Sequence, residues 1–158
     1  MAKSKELFPL RAYCVEESVG YLLGRARAKL VKSIDCELSA YDITHGQGRI
    51  MMLLSSGKYA TAAELAREAY VDSASITRMI DRMEKRGLIE RVRCGEDRRV
   101  CKLRLTVEGQ TLADQLPFVY GRVLNQNFAG FSEDEVETLK ALLRKMLDTE
   151  VTEKDKAE

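Results

Sequence analysis

A mainly α-helical fold with one small β wing is what this sequence predicts, and three features of its 158 residues predict it. Apolar residues recur at spacings of three and four through most of the chain, the mark of amphipathic helices. One region instead alternates apolar with charged residues, as a half-buried hairpin does: Leu88-Ile89-Glu90-Arg91-Val92-Arg93 and Val100-Cys101-Lys102-Leu103-Arg104-Leu105. Directly before it stand two short helical patterns joined by three or four residues, the connection a helix-turn-helix requires. The architecture expected is a winged helix-turn-helix over 44–106, flanked by dimerising helices over 10–38 and 107–148 of a single-domain 1–158 chain.

The first flanking helix is read from Val15, Val19, Leu22, Leu23, Ala26, Leu30, Ile34 and Leu38, a seam with Arg25, Arg27, Lys29 and Lys32 largely off it. Over 10–38 it would be about 44 Å long, more than a small core can cover. Part of its seam is therefore expected to meet another helix pair or a second subunit. Thr44-His45-Gly46-Gln47 then forms a capping box that opens a second helix carrying Ile50, Met51, Leu53 and Leu54. Gly46 and Gly48 weaken that helix by up to about 1 kcal/mol each, which close packing against a neighbour would explain. Lys58-Tyr59-Ala60 is short and extended, a candidate third strand beside the hairpin.

Thr61-Ala62-Ala63-Glu64 repeats the capping box, and Tyr70-Val71-Asp72 makes the turn. In the next helix Ile76, Met79, Ile80 and Met83 fall at i, i+3, i+4 and i+7, so one stripe faces a core. The opposite stripe holds Ser73, Ser75, Thr77, Arg78, Asp81, Arg82 and Lys85, groups able to bind phosphates and base edges in a major groove. Gly87 is placed to end this helix in a left-handed conformation. After the hairpin, Thr106 caps a helix bearing Leu112, Leu116, Val119, Val123, Leu124 and Phe128, which Pro117 should break about one turn before itself. Ser132-Glu133-Asp134-Glu135 caps the last helix, whose stripe of Val136, Leu139, Leu142, Leu143, Met146 and Leu147 suits a dimer interface.

The net charge of +1 conceals a strong asymmetry. Between Leu65 and Arg104 there are 11 Lys/Arg against 7 Asp/Glu, whereas Ser132 to Glu158 carries 5 against 9. Counterion release depends on the local patch, so the basic stretch remains suited to nucleic acid. No apolar run approaches a membrane span and no signal-peptide core follows Met1, so a cytoplasmic protein without membrane contact is expected. With one histidine, no Gly-rich phosphate loop and no Ser/His/Asp or Cys/His arrangement, no enzyme is expected, and neither cofactor nor metal. Cys14, Cys36, Cys94 and Cys101 form no CxxC pair and are read as free thiols. If Cys14 and Cys36 share one helix, about 33 Å separates them.

Asp97-Arg98-Arg99 followed by Leu105-Thr106-Val107-Glu108-Gly109, together with Ser75-Ile76-Thr77-Arg78 and Asp81-Arg82-Met83-Glu84-Lys85-Arg86-Gly87-Leu88-Ile89-Glu90-Arg91, resembles the multiple-antibiotic-resistance regulator (MarR) family of winged-helix transcription factors. The resemblance spans nearly the whole chain. It implies a homodimer binding double-stranded DNA at a pseudo-palindromic operator, usually as a ligand-responsive repressor. It further implies Ser73, Ser75, Thr77 and Arg78 at the major groove, Arg99 in the minor groove and Asp97 holding that arginine. Arg82 is read as a DNA contact as well, and Arg98 is open between phosphate and solvent. Cys94-Gly95 departs from the family, many members of which carry a proline near the wing.

Effectors of the family often lodge between the dimer helices and the DNA-binding lobe. His45 and Arg49 are accordingly candidates to receive a small organic acid, an aromatic carboxylate for instance, with Tyr13 or Tyr21 as walls. The alternative is thiol sensing through Cys14, or through Cys94 and Cys101 if the hairpin turned at Asp97-Arg98 and set them face to face. Gly20, however, falls where hydroperoxide sensors of the family place their reactive cysteine. A helical protein-interaction adaptor is the competing class; it accounts for the long amphipathic helices and not for Asp97 and Arg99 in a basic tip.

Overall fold

A computed structural model of the chain describes residues 14–93 and 101–149. In order these form α1 (Val19–Leu38), α2 (His45–Ser55), α3 (Ala62–Ala69), α4 (Ser73–Lys85), β1 (Ile89–Arg93), β2 (Cys101–Leu105), α5 (Val107–Ala113), α6 (Leu116–Asn127) and α7 (Glu133–Leu147). The fold is mostly helical with one small antiparallel sheet. The chain divides into two compact units, Met1–Val123 and Leu124–Glu158. Among the described residues, no helix is long and apolar enough to cross a membrane.

The core lies in the first unit. Leu38 and Ile43 from the α1–α2 corner, Ile50 and Met51 of α2, Leu65 of α3, Ile76, Ile80 and Met83 of α4, and Leu116, Val119 and Val123 of α6 are buried together. In α2, α3 and α4 the buried residues lie on the apolar stripe that the spacing forecasts, because a stripe of this width is stable only when another element covers it.

The helix starts are local products of sequence. Thr44 accepts from Gln47 N–H while Gln47 Oε1 accepts from Thr44 N–H, and Thr61 and Glu64 make the same reciprocal pair at α3. Asp72 caps α4 and Thr106 caps α5. At the end of α4, Leu88 N–H donates to Met83 O (3.0 Å) and Gly87 N–H to Glu84 O (2.9 Å), with Gly87 at φ 69°. This is a Schellman stop, and it turns the chain directly into β1. Gly109 of α5 lies against that stop so closely that a Cβ there would come within 1.9 Å of Leu88 O. A glycine is obligatory, and it ties α5 to the joint between α4 and the hairpin.

Three expectations change. The first helix begins at Val19, with Ser18 Oγ accepting from Tyr21 N–H, and the described residues 14–18 stand outside it; the apolar spacing continues upstream through Val15, but the capping side chain stops the helix. Cys14 is therefore off the helix, and the separation that assumed a shared helix no longer applies. Tyr59 and Ala60 form no strand; Ala60 O accepts one bond from Leu103 N–H, at 2.6 Å. The expectation for Pro117 holds, α5 ending at Ala113 and α6 opening at Leu116. Gly46 and Gly48 are explained by packing: a Cβ would meet Met79 Cε at 3.2 Å in one case and Tyr120 Oη at 3.0 Å in the other.

Candidate nucleic-acid interface

α4 is held rigidly from behind and left open in front. Ile76, Ile80 and Met83 are buried to within 1% of full burial, while Ser73, Thr77, Arg78 and Arg82 are exposed and Ser75 is half-buried. The exposed row is ordered by short bonds of its own. Asp72 Oδ1 accepts from Ser75 N–H at 2.8 Å, Arg78 Nη2 donates to Ser75 Oγ at 3.0 Å, and Thr77 Oγ1 donates to Ser73 O at 2.7 Å. Hydrogen bonding from Ser75, its hydroxyl first and then its backbone N–H, holds the Asp72 carboxyl below the usual range, and the nearby Arg78 charge adds to it. The cap therefore stays ionised at neutral pH. No carboxylate forms a salt bridge with Arg78 or Arg82 among the described residues, so both guanidinium groups remain available to an anionic partner.

Other charges on α4 are internal braces. Arg91 on β1 reaches across to Asp81 Oδ1 (2.6 Å) and to Glu84, so one guanidinium joins the hairpin to α4. Arg86 binds Asp42 in the α1–α2 corner, 3.3 Å between Nη2 and Oδ2, and also donates to the Asp42 carbonyl. Each of these pairs leaves its partners partly exposed, so their value is orientation more than stability. Asp81 thus serves as an anchor of the hairpin, a role that its place on the polar stripe does not reveal.

The residues proposed for an acid do not converge within the described chain. Arg49 donates through Nη2 to Glu68 O (2.8 Å) and through Nη1 to Ala69 O (3.3 Å), where it caps the carbonyl end of α3. His45 is turned inward: its N–H donates to Asp35 Oδ1 (2.5 Å) and its Nδ1 lies 3.2 Å from Tyr120 Oη, which also donates to His45 O. Burial lowers the His45 pKa, against the opposing pull of Asp35, and pushes the Tyr120 phenol up to about 12. Tyr21 is on the open face of α1 beneath Arg25, 5.8 Å from its ring centroid. Fourteen residues of helix, about 21 Å, separate it from Asp35. What the sequence did not reveal is a surface hollow of 270 Å³ between α2 and α4, lined by Thr44, Gln47, Ser75, Arg78, Met79 and Arg82.

Arg93 stands opposite Cys101 in the β1–β2 register, the place that a turn at Asp97-Arg98 would have given to Cys94. Cys14, Cys36 and Cys101 are free and exposed. Tyr13, Cys94, Asp97, Arg98 and Arg99 lie outside the described residues.

A family model described as the MarR family matches residues 43–101, the stretch from the end of the α1–α2 corner to the start of β2. The multiple antibiotic resistance protein MarR of Escherichia coli is 31% identical over 130 residues, which cover 82% of this chain and 90% of that protein. The organic hydroperoxide resistance transcriptional regulator of Bacillus subtilis is 29% identical, covering 85% and 90%. A crystal structure of a cysteine-to-serine mutant of Escherichia coli MarR complexed with operator DNA superposes with a TM-score of 0.77 at 28% identity, over 86% of this chain and 99% of that one.

Proposed function

The chain belongs to the MarR family of transcriptional regulators, and on that premise we propose that it is a homodimeric, sequence-specific DNA-binding repressor released by a small acidic effector. The single observation that carries the DNA-binding half is the division of α4 into a buried apolar face and an exposed row of Ser73, Thr77, Arg78 and Arg82, whose guanidinium groups form no salt bridge among the described residues. Ser73, Ser75, Thr77, Arg78 and Arg82 meet the major groove. Asp97, Arg98 and Arg99 extend the contact along the wing, with Arg99 in the minor groove. Two copies place their α4 helices in successive major grooves about 34 Å apart, on a pseudo-palindromic operator. The relative solved with operator DNA supports this reading.

The effector half rests on the hollow between α2 and α4. Two guanidinium groups and the Ser75 hydroxyl line it, a set that receives a carboxylate, while Met79 offers an apolar wall to an aromatic ring. An acid seated there competes directly with DNA for Arg78 and Arg82, and a coupling of about 1–3 kcal/mol, roughly 5- to 150-fold in affinity, suffices for regulation. His45 and Arg49 act through α2, whose first turn forms one side of the hollow. Thiol sensing through exposed Cys14 or Cys101 is the second reading, supported by the relative named for organic hydroperoxide resistance.

Selection of bound sequences from a random DNA pool tests the whole proposal. An inverted repeat with half-sites about one helical turn apart is expected. Its loss with a panel of aromatic acids, and not with mild peroxide, selects the hollow over the thiols; the reverse selects the thiols. Absence of any enriched sequence removes the DNA-binding reading.

A further inference from the structure

Tyr70 is the residue of the helix-turn-helix that neither packing nor backbone explains. It occupies the turn between α3 and α4 with φ 51°, a conformation that favours glycine and, after it, asparagine. Its ring is 87% exposed, and its hydroxyl has no hydrogen-bond partner among the described residues. The turn itself is held by backbone bonds, Tyr70 N–H donating to Arg67 O (3.2 Å) and Val71 N–H to Ala66 O (3.0 Å). The aromatic side chain thus adds nothing visible to the fold, while its backbone position is one that a smaller residue would occupy with less strain.

What it does have is position. It stands two residues before Asp72, the cap of α4, beside the exposed Ser73 that begins the polar row. When a helix-turn-helix docks, the turn leading into the second helix passes close to the sugar–phosphate strand that borders the groove. A phenol suits that place: an apolar body to cover a deoxyribose, and a hydroxyl at its tip to donate to a phosphate oxygen. We propose that Tyr70 is such a backbone contact and that it sets the depth and register at which α4 enters the groove. This inference rests on the DNA-binding reading above. Being neutral, Tyr70 neutralises no phosphate and releases no counterion, which separates its signature from that of Arg78 or Arg82.

The test uses the full chain and the duplex that the wild-type protein enriches from a random pool, or a mixed-sequence duplex at low salt if none is enriched. Asparagine tolerates the left-handed conformation, so Tyr70→Asn should keep or raise the thermal midpoint while weakening binding about tenfold or more, with the salt dependence unchanged. Tyr70→Phe, which keeps the ring and loses the donor, should weaken it about fivefold. Undiminished binding by both variants overturns the inference. So does a thermal midpoint that falls in step with affinity, because the ring would then be structural. If Arg82→Ala weakens binding and Tyr70→Asn does not, the role of Tyr70 is rejected and the DNA-binding reading stands; a wild-type protein that binds no duplex even at low salt rejects both.

Discussion

α4 and α7 are written in the same sequence language and end in opposite circumstances. Both are capped, α4 by Asp72 and α7 by Ser132, and both carry an apolar stripe at helical spacing opposite a charged one. In α4 the stripe is covered within the chain, Ile76, Ile80 and Met83 lying in the core. In α7 no residue is buried, and Leu142, Met146 and Leu147 are 60%, 57% and 71% exposed. The first half of α1 behaves like α7, with Val19 and Leu22 exposed, whereas its last turns bury Ile34 and Leu38. An amphipathic pattern therefore says that a helix needs a partner without saying which chain supplies it. Where the stripe is buried, as in α4, the polar face is what remains for function; where it is exposed, as in α7, the apolar face is.

The contrast can be broken at four points. Ile80→Ala removes packing that the protomer provides for itself, and should lower the unfolding free energy by about 2–5 kcal/mol in urea denaturation. An unfolding midpoint within error of wild type would mean that the α4 stripe is not part of the core. Leu142→Lys is expected to leave that core intact and to raise the dissociation constant of the proposed dimer about a hundredfold, since an unpaired charge at a covered apolar site costs roughly 3 kcal/mol. Sedimentation velocity over a concentration series measures this, and unchanged dimerisation removes α7 from the interface. Arg82→Ala acts on the opposite face of α4. It should leave stability within about 0.5 kcal/mol and reduce the slope of log affinity against log salt by about 1; an unaltered slope would make Arg82 a solvated side chain.

The smallest effect expected is a pH dependence at the His45 corner. Burial lowers the His45 pKa in the folded chain below 6.5, so the folded state binds its proton less readily than the unfolded one. The resulting stability is complete above pH 6.5 and is lost as pH falls through the folded-state value. Thermal midpoints taken near pH 7.5 and near pH 5 should differ less in His45→Gln than in wild type. Equal differences in the two proteins would assign the acid sensitivity to other groups; the Asp72 cap, whose pKa is lowered from 3.8, loses its contribution only at more acid pH.

Much of the candidate interface was legible because its determinants are close together in the chain. Thr44 with Gln47, Thr61 with Glu64 and Asp72 with Ser75 each join residues three apart, and a helix start is an event on that scale. The polar row of α4 was readable for the same reason: a period of 3.6 residues separates the two faces of a helix before any tertiary contact forms. The proposed acid site was not legible. Arg49 lies near His45 in sequence, but its guanidinium is committed to carbonyls of Glu68 and Ala69, and His45 is committed to Tyr120, 75 residues away. The hollow with Arg78 and Arg82 escaped notice because its walls come from two helices that the sequence separates by α3.

Family, helix order, caps and the composition of the α4 face were thus determined by sequence alone, since hydrogen bonds and periodicities within a few residues encode them. Tertiary structure decided which charges are paired among the described residues. Arg91 is spent on Asp81 and Glu84, Arg86 on Asp42 and Arg49 on α3, whereas Arg78 and Arg82 face outward. The physical reason is that a guanidinium pairs with whatever oxygen the packed helices bring within reach, and that proximity exists only after the core has closed.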